Sequence, residues 1–527
     1  MKEMHQILVA DAISEVGLQP LLDLKEANII QKKVSDPNVS LDQIDALLVR
    51  SATIVSEELM KKMPELKIIA RAGVGVDNID VQAATKRGIM VINAPDGNTI
   101  STAEHTFAMM ASLMRNIPQA HQSVKNLEWK RSAFIGTELY GKNLGIIGMG
   151  RIGSELAKRA KVFGMSIFVY DPFLTKERAT QLGVTVCSLD EVLQESDVIT
   201  VHTPLTPDTK GLINEQTLAK TKKGVYFLNC ARGGLIDEHA LALYIGNGHV
   251  AGAALDVFES EPPGENPLLK FDSVIVTPHL GASTKEAQLN VATQVAKEVC
   301  LFLEDKPVAN AINLPSMSKD IFAKIRPYHH LAKQLGATLS QCIKEGVNEI
   351  TVTYSGTVND LEITYLTKAI LSGFFKNRVD VHVNEINAIL TAKERGITVG
   401  EKIGTLSYGY ANSISVTAKA ENRNFTVRGT YIENYGPRIV SLNDFTIDLN
   451  PEGNLLYIKH MDRPGVIGRV GKIVGDHNVN IATMQVGRKS AGGEAIMVLS
   501  FDKPLEDNLL KTLGQVEDIA SVNRINL

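Results

Sequence analysis

A glycine-rich segment in the first third of the chain has the spacing of a dinucleotide-binding turn. Gly148, Gly150 and Gly153 form a G-x-G-x-x-G pattern between a strand-like run, 144–147, and a helical pattern that continues to Phe163. The first glycine allows a tight turn, the second lets pyrophosphate approach the backbone, and the third lets the helix pack on the strand. The helix N-terminus supplies N–H donors and partial positive charge. We therefore expect phosphate-binding contacts at this turn, including Arg151 and Ile152.

An acidic residue follows the next strand of the same unit. Asp171 ends the run Ser166–Tyr170, eighteen residues after Gly153, where dinucleotide folds place the carboxylate that accepts ribose hydroxyls. A cofactor with a 2′-phosphate would meet a like charge there. The pattern favours NAD over NADP, and the alternative is a glycine-rich turn that binds nothing.

Three further residues have the chemistry of a hydride-transfer site. Arg232, Glu261 and His279 come after strand-like runs, at the carboxyl ends where open α/β sheets bind ligands. An imidazole titrates near neutral pH and can take the hydroxyl proton of an alcohol. A carboxylate can orient it, and a guanidinium can hold a substrate carboxylate through two hydrogen bonds. Taken singly, each could be a cap, a core residue or a surface charge.

The elements that position these residues alternate between short apolar runs and helical patterns. This alternation predicts βαβ units and two doubly wound parallel sheets. Ser101 and Glu104 have the spacing of a capping box that opens a hinge helix over His105–Met114, and Lys285–Leu303 predicts the helix that returns to the first domain. The predicted strands are Gln6–Ala10, Ala46–Val49, Lys67–Ala70, Ile89–Ile92, Leu144–Ile147, Ser166–Tyr170, Val198–Val201, Val225–Leu228, Ala251–Leu255 and Val274–Val276.

The last two hundred residues predict two smaller domains. One is a mixed α+β domain with helices over Ile321–Ile343 and Asn384–Arg395 and strands over Glu349–Tyr354, Ser413–Ala418 and Phe425–Thr430. The other is a βαββαβ unit of ferredoxin-like type. Its strands are Leu455–Lys459, Asn480–Val486, Ala495–Phe501 and Ser521–Ile525, and its helices are one with Pro464 at the first position, ending near His477, and Asp507–Leu513. We expect domains at 1–98 with 286–312, 99–285, 316–450 and 454–527.

Composition limits the classes of partner. The 527 residues carry a formal net charge of −4, which gives no support for nucleic acid or anionic membrane as a partner. Four scattered cysteines without a C-x-x-C pair predict no structural zinc site, no other metal site and no disulfide framework. Because the N-terminus runs directly into a strand-like segment, no signal peptide is expected, and the reducing cytoplasm fits best.

Four segments together resemble the D-isomer-specific 2-hydroxyacid dehydrogenases over residues 1–315. They are Gly148–Gly153 with Asp171, Asn229–Gly234, Asp256–Phe258 and Pro278–Ala282. The resemblance implies a flavodoxin-like substrate domain, a Rossmann NAD domain, an assembly of at least two copies, and Arg232, Glu261 and His279 as the catalytic residues. It also implies cofactor contacts at Val74, Thr203, Cys230, Ala231, Asp256 and Gly281.

Several arginines in the first domain suggest a substrate with a second anionic group. Arg50 and Arg71 each follow an apolar strand, and Arg131 lies close to the single tryptophan, Trp129. One cation is enough for a carboxylate, so additional arginines suggest a phosphate. The alternative is that Arg50 and Arg71 are interdomain or surface charges. The full set of predicted substrate contacts is Arg50, Ser51, Arg71, Gly73, Val74, Asn98 and Arg131.

The C-terminal segments narrow the resemblance to long members of that family. Ser355–Thr357 and Val383–Ala388 resemble their intervening domain, and His460–Val466 and Val479–Ala482 resemble their ACT domain. These members oxidise 3-phosphoglycerate to 3-phosphooxypyruvate, which opens serine biosynthesis, and a homodimer or homotetramer is expected. Two other functions stay open: a glyoxylate or hydroxypyruvate reductase with an added module, and a non-catalytic NAD-sensing regulator.

An effector site is the further implication of the ACT resemblance. L-serine contacts in such domains match His460, Asp462 and Asn480, although Asp462 stands where some serine-binding members have asparagine. The alternative is that these residues only cap loops and helix ends, with Asp462 as an N-cap before Pro464.

Overall fold

The first sheet is parallel and has the flavodoxin-like order that the resemblance implies. A computed structural model describes residues 4–315, 317, 319–405, 408–421 and 423–527, so the predicted domain limits Met1 and Ser316 lie outside it. The strand order is β2-β1-β3-β4-β5. The strands are β1 (His5–Val9), β2 (Ala27–Gln31), β3 (Ala46–Val49), β4 (Ile68–Arg71) and β5 (Met90–Asn93), and the helices beside them are α1 (Gln19–Leu22), α2 (Glu57–Lys61) and α3 (Val81–Lys86).

The second sheet is also parallel, and its order β12-β11-β10-β9-β6-β7-β8 places a switch point between β6 and β9. Ligands bind at such points in open α/β sheets. Helices α4 (Thr99–Met114) and α5 (Ile117–Lys125) lead into it. Its elements are β6 (Asn143–Ile147), α6 (Arg151–Val162), β7 (Ser166–Tyr170), α7 (Lys176–Leu182), β8 (Thr185–Val186), α8 (Leu189–Glu195), β9 (Val198–Val201), α9 (Glu215–Leu218), β10 (Val225–Asn229), α10 (Glu238–Gly246), β11 (Val250–Leu255) and β12 (Val274–Val276).

The hinge helix begins earlier than its predicted capping box. Helix α4 starts at Thr99 with Asn98 in the cap position, so Ser101 and Glu104 already lie inside it. The Ser101 hydroxyl donates to the Asn98 carbonyl at 3.0 Å, and Glu104 pairs with Arg159 at 3.3 Å. The capping-box prediction is wrong because helical geometry is already established before Ser101.

The predicted return helix is present with the expected bounds. Helix α11 (Lys285–Leu303) is capped by Thr284, whose hydroxyl accepts from the Ala287 amide at 3.0 Å. Its apolar face, including Val291 and Val295, belongs to the core of the first sheet. The chain therefore returns to the first domain after the second sheet, and α11 packs against the first sheet.

The third sheet is mixed, as expected, but it has more elements than the sequence indicated. Its order is β14-β13-β15-β16-β17-β18, and β14, β17, β18 and α13 were not predicted. The helix expected over Asn384–Arg395 begins only at Ala388, because Asn384 and Asn387 form a turn in which the Asn384 amide donates to Asn387 Oδ1 at 2.9 Å. The elements are α12 (Lys319–Cys342), β13 (Val347–Gly356), α13 (Ile363–Phe375), α14 (Ala388–Glu394), β14 (Thr398–Gly404), β15 (Asn412–Ala420), β16 (Asn424–Ile432), β17 (Gly436–Leu442) and β18 (Phe445–Leu449).

The fourth sheet confirms the predicted βαββαβ unit. It is antiparallel with the order β20-β21-β19-β22. Pro464 is not at a first helical position, because Gly465, with φ 90°, separates it from the helix start at Val466. The elements are β19 (Asn454–Met461), α15 (Val466–Asp476), β20 (Ile481–Arg488), β21 (Glu494–Phe501), α16 (Asp507–Gly514) and β22 (Ile519–Asn526).

The four sheets occupy separate stretches of sequence, at 5–93, 143–276, 347–449 and 454–526. We propose the domain limits given above on this basis, with α11 as the second segment of the first domain. Among the described residues, no helix combines the length and apolar character needed to cross a bilayer.

Candidate active site

A cleft of about 510 Å³ lies between the first and second sheets. Its walls come from loops at the carboxyl ends of both sets of parallel strands. The structure therefore brings together most of the residues that the sequence singled out. Those that line the cleft are Val74, Asn98, Gly150, Arg151, Ile152, Thr203, Cys230, Ala231, Arg232, Asp256, His279 and Gly281.

The glycine loop has the geometry that its spacing predicts. Gly148 has φ 98°, and a Cβ there would lie 2.8 Å from the carbonyl of His202. A Cβ on Gly153 would collide with the Gly148 carbonyl oxygen, whereas a Cβ on Gly150 would meet nothing within 4 Å. The open space beside Gly150, at the start of α6, is where a pyrophosphate group fits.

Asp171 follows β7 and reaches back to the glycine loop. One carboxylate oxygen accepts from the Met149 amide at 2.7 Å, and the other accepts from the Phe173 amide at 2.8 Å. The carboxylate thus lies beside the phosphate-binding turn, where an adenosine ribose would be placed. It also stabilises the turn itself, which the sequence did not indicate.

Replacing Asp171 by asparagine is expected to raise the ratio of kcat/KM for NADP to that for NAD by about tenfold or more, since one removed like-charge contact amounts to roughly 1–2 kcal/mol. Asparagine keeps an oxygen acceptor for one of the two amides, so the loop is disturbed less than by alanine. Initial rates with each dinucleotide give the ratio. An unchanged ratio would mean that another residue recognises the ribose.

Three buried polar atoms along the cleft have no hydrogen-bond partner in the described structure. They are Asn98 Oδ1, His202 Nδ1 and Thr203 Oγ1. An unpaired buried polar atom costs about 1–3 kcal/mol. A dinucleotide carries many hydroxyl and phosphate oxygens and an amide, and these groups can pair with such atoms. The donor and acceptor set of the cleft therefore fits a dinucleotide cofactor.

The two titratable residues predicted for proton transfer are in contact. His279 Nδ1 and Glu261 Oε2 are 2.8 Å apart, and the side chains are 48% and 40% exposed. The other Glu261 oxygen accepts from the Phe258 amide at 3.2 Å. The carboxylate is thus fixed by the backbone, and it orients an imidazole that remains accessible from the cleft.

The backbone around His279 is held by Asp256. His279 has φ 56°, a left-handed conformation that costs a non-glycine residue about 1 kcal/mol or more. The His279 amide donates to the Asp256 carbonyl at 2.8 Å, and the Leu280 and Gly281 amides donate to its carboxylate at 2.7 and 2.9 Å. Burial raises the pKa of Asp256, but hydrogen bonds, led by that from His105, outweigh burial and lower it. An ionised Asp256 therefore fixes the loop that presents His279.

Arg232 extends from the end of β10 to the first domain. Its Nε lies 3.3 Å from Asp77 Oδ2, and its Nη1 donates to the Ala231 carbonyl at 2.6 Å. A Cβ on Gly75 would collide with the guanidinium. The side chain therefore bridges the two walls of the cleft beside the His–Glu pair.

Arg50 and Arg71 lie close to Arg232. Burial lowers the pKa of Arg71, and the positive charges of Arg232 and Arg50 lower it further. The Arg71 guanidinium packs on Gly73, and its buried Nε has no hydrogen-bond partner in the described structure. Arg50 donates to the Ala12 carbonyl at 3.1 Å. Three arginines thus form a positive cluster, which favours an anion-binding role over that of scattered surface charges.

Arg131 is not brought to the cleft within one copy of the chain. It lies in a short helical turn, Arg131–Phe134, between α5 and β6, and is exposed. The nearby Trp129 is 79% exposed. Ser51 is exposed in the loop after β3. Substrate contacts at these two residues remain predictions.

Within one copy, the residues predicted to bind an effector lie at opposite ends of the fourth sheet. His460 and Asp462 lie at the end of β19, which pairs with the start of β21, whereas Asn480 precedes β20, whose start pairs with the end of β21. His460 is 3% exposed, and its Nδ1 is 2.8 Å from the Met461 carbonyl oxygen while its buried Nε2 has no partner in the described structure. Asp462 pairs with Arg488 at 3.0 Å and does not cap α15, so the N-cap alternative is wrong. Asn480 donates to Asp502 at 3.1 Å.

Two residues of the site were missed by the sequence analysis. Asp77 pairs with Arg232, and its signal was a carboxylate shortly after β4, at the same sheet edge as the arginines. His105 Nε2 lies 3.2 Å from Asp256. A histidine on a helix gives no such signal, because the contact joins residues 151 positions apart in sequence.

Comparison with protein-family models agrees with this architecture. Residues 107–281 match the D-isomer specific 2-hydroxyacid dehydrogenase NAD binding domain, 324–443 match the D-3-phosphoglycerate dehydrogenase intervening domain, and 455–518 match the ACT domain. Among solved structures, a D-lactate dehydrogenase from Aquifex aeolicus, complexed with NAD and lactic acid, is 33% identical with a TM-score of 0.53. It covers 59% of this chain, and this chain covers 100% of it.

Two relatives match this chain over almost its whole length. D-3-phosphoglycerate dehydrogenase of Bacillus subtilis is 60% identical over 524 residues, which are 99% of this chain and 100% of that protein. The enzyme of the same name from Methanocaldococcus jannaschii is 43% identical over 99% of this chain and 100% of its own length. Identity at this level over whole chains shows common family membership. The chain therefore belongs to the D-3-phosphoglycerate dehydrogenase family, within the D-isomer specific 2-hydroxyacid dehydrogenases.

Proposed function

We propose that this chain oxidises (2R)-3-phosphoglycerate to 3-phosphooxypyruvate with NAD, as the first step of serine biosynthesis by the phosphorylated route. The observation that carries the proposal is that Arg232 lines the same cleft as His279, which contacts Glu261, and that Arg50 and Arg71 are close enough to Arg232 for their charges to interact. A substrate with both a carboxylate and a phosphate needs more than one cation. The names of the full-length relatives support the same substrate.

Each protein group has a defined task in this reaction. His279 takes the proton of the C2 hydroxyl, and the C2–H bond breaks as its hydrogen leaves with both electrons. Bound NAD supplies the acceptor for that hydride. Glu261, 2.8 Å from His279 Nδ1, stabilises the imidazolium that forms. Arg232 holds the C1 carboxylate and polarises the developing carbonyl.

Arg50 and Arg71 are assigned to the phosphate. The unpaired buried Nε of Arg71 is a donor for which a phosphate oxygen provides an acceptor. The mutual repulsion of the arginines is relieved when a dianion binds among them. Val74, Gly73 and Asn98 are further proposed substrate contacts, in addition to Ser51 and Arg131.

A panel of D-2-hydroxy acids tests the substrate assignment. Formation of NADH is followed with 3-phosphoglycerate, D-glycerate, D-lactate and glycolate at matched concentrations. The proposal expects kcat/KM to be highest for 3-phosphoglycerate. Turnover of the unphosphorylated acids alone would favour the glyoxylate or hydroxypyruvate reductase alternative. A solved structure of a glyoxylate reductase is 30% identical to this chain, with a TM-score of 0.54, and the match covers 59% of this chain and 99% of the reductase. NADH binding without turnover of any acid would favour the regulator.

We further propose that the chain acts as a homodimer or homotetramer. Large apolar side chains between α5 and β6 are open to solvent, namely Leu127 at 96%, Trp129 at 79%, Ile135 at 81% and Tyr140 at 78%. Such a concentration is typical of an interaction surface. Arg131 lies within this segment, so assembly would place it against a second copy.

The four cysteines are free thiols, which supports a reducing, cytoplasmic location.

L-serine is the proposed effector of the fourth sheet. The buried, unpaired His460 Nε2 can pair with a carboxylate or hydroxyl oxygen, and Asp462 can pair with an ammonium group. Asn480 offers both a donor and an acceptor, and because it lies at the opposite end of the sheet within one copy, we assign it to the same ligand from a second copy of the chain. An amino acid with a short hydroxyl side chain matches this set of groups.

Titration of L-serine is expected to lower the rate of 3-phosphoglycerate oxidation, and Asn480→Ala is expected to raise the half-inhibiting concentration about tenfold, since one hydrogen bond to a charged group is worth roughly 1.5–3 kcal/mol. Each variant is compared with its own rate without serine. Asn508→Ala, an exposed position on α16, is the control and should be inhibited like the original chain. Equal inhibition of the Asn480 variant would exclude this site.

A further inference from the structure

His202 lines the cleft but has no part in the roles assigned above. It follows β9, and its amide donates to the Ile147 carbonyl at 2.7 Å, which ties it to the end of β6. A Cβ on Gly148 would lie 2.8 Å from the carbonyl carbon and oxygen of His202. His202 therefore sits directly against the glycine loop, although it belongs to a different βα unit.

Only one of the two ring nitrogens of His202 has a hydrogen-bond partner in the described structure. Its Nε2 is 2.9 Å from the hydroxyl of Thr200, a residue with 0% exposure. Its Nδ1 is shielded from bulk solvent and has no partner in the described structure. Burial lowers the pKa of His202 to about 4, so the ring is neutral at physiological pH. A neutral imidazole has one N–H donor and one acceptor nitrogen.

The unpaired nitrogen is accompanied by others on the same cleft. Thr203 Oγ1, on the next residue, and Asn98 Oδ1, at the start of α4, are also buried without partners in the described residues. All three residues line the cleft. Buried polar groups in folded proteins are normally paired, so this group of atoms points to a ligand that brings polar atoms of its own.

We propose that His202 binds the dinucleotide, with its Nδ1–H donating to a ribose or phosphate oxygen. The Thr200 hydroxyl then donates to Nε2 and fixes this tautomer. Phosphate oxygens only accept hydrogen bonds, so the proton must reside on the nitrogen that faces the cleft. This inference rests on the proposed NAD-dependent function and adds a residue to its cofactor site.

Two amide variants separate the two ring nitrogens. In His202→Asn the side-chain nitrogen can occupy the place of Nδ1, whereas in His202→Gln the terminal group reaches only the place of Nε2. NADH affinity is measured by fluorescence titration without substrate. His202→Gln is expected to weaken NADH binding about tenfold, the equivalent of roughly 1.4 kcal/mol, and His202→Asn to stay within about threefold.

The controls separate a ligand contact from a structural role. His249 has the same contact with a threonine hydroxyl, Thr221, at 3.1 Å, but lies away from the cleft, so His249→Gln should bind NADH normally. Thr200→Val removes the group that fixes the tautomer and should weaken binding without any change at His202. Thermal unfolding of each variant without ligand identifies those that fail to fold.

The outcomes distinguish the two proposals. An original chain that binds no NADH would contradict the proposed function itself. An original chain that binds NADH, with His202→Gln and Thr200→Val binding equally well, would overturn only the role of His202. Equal losses in His202→Asn and His202→Gln would also overturn it, because the effect would then come from ring packing.

Discussion

Alanine in place of His279 is expected to lower kcat for 3-phosphoglycerate by about 10³-fold, within the 10²–10⁴-fold contribution typical of a general base. His279 is the imidazole that reaches the cleft while being held by Glu261 at 2.8 Å. Without it, the hydroxyl proton must pass to water, which is a poor base. Steady-state rates at saturating NAD measure the effect.

The Kd for NADH should change little in the same variant, because His279 is not among the proposed cofactor contacts. His121→Ala, a histidine on the outer helix α5, is the control and should keep the full rate. A His279 variant with an unimpaired rate would reject this residue as the base. Loss of NADH binding together with the rate would indicate a collapsed cleft instead.

The second large effect is expected at Arg232. Arg232→Ala should lower kcat/KM for 3-phosphoglycerate by about 10³-fold, since two hydrogen bonds to a charged group at roughly 1.5–3 kcal/mol each are lost. Arg232→Lys should recover part of this, because lysine keeps the charge but not the planar fork. The substrate titration separates the two variants.

Comparison of two substrates makes the test of Arg232 specific. Its loss should weaken turnover of both 3-phosphoglycerate and D-glycerate, since both carry the carboxylate. Arg71→Lys should weaken only turnover of the phosphorylated acid. If Arg232→Ala affected the two acids unequally, with D-glycerate spared, Arg232 would be a phosphate ligand and the assignment would be reversed.

The parallel sheets were predictable because their strands are buried on both faces. The run Ala46–Val49 is apolar throughout, and Val198–Val201 is apolar apart from Thr200. Both are fully buried, so they are recognisable without alternation. Strands β2 and β8 could not be predicted, for the opposite reason. Strand β2 is only partly buried, and β8 has two residues, both exposed, so neither gives a hydrophobic signal.

The intervening domain was less predictable because its sheet is mixed. Strand β14 has the burial pattern of a surface strand and pairs in parallel with β13, about fifty residues earlier. Nothing in the local sequence indicates that partner. Helix α13 is buried along most of its length, so its apolar residues do not form the one-sided stripe that marks a surface helix.

The functional site was also predictable only in part. The glycine loop, Asp171, Arg232, Glu261 and His279 could be placed because each lies within six residues of the end of a recognisable strand. The contact of Asp77 with Arg232 could not, since it joins two domains. The role of Asp256 in fixing the backbone of His279 could not be predicted either, because it depends on the left-handed φ of 56° at His279. Sequence spacing locates the sheet edge, while the contacts across it come from the fold.

Isotope transfer tests most directly whether this cleft moves a hydride from C2 of the substrate to the nicotinamide. 3-Phosphoglycerate carrying deuterium at C2 is incubated with NAD and the purified protein, and the NADH formed is examined by mass spectrometry and NMR. We expect one deuterium per NADH, located at C4 of the nicotinamide ring. NADH without deuterium, or no NADH from this substrate, would contradict it.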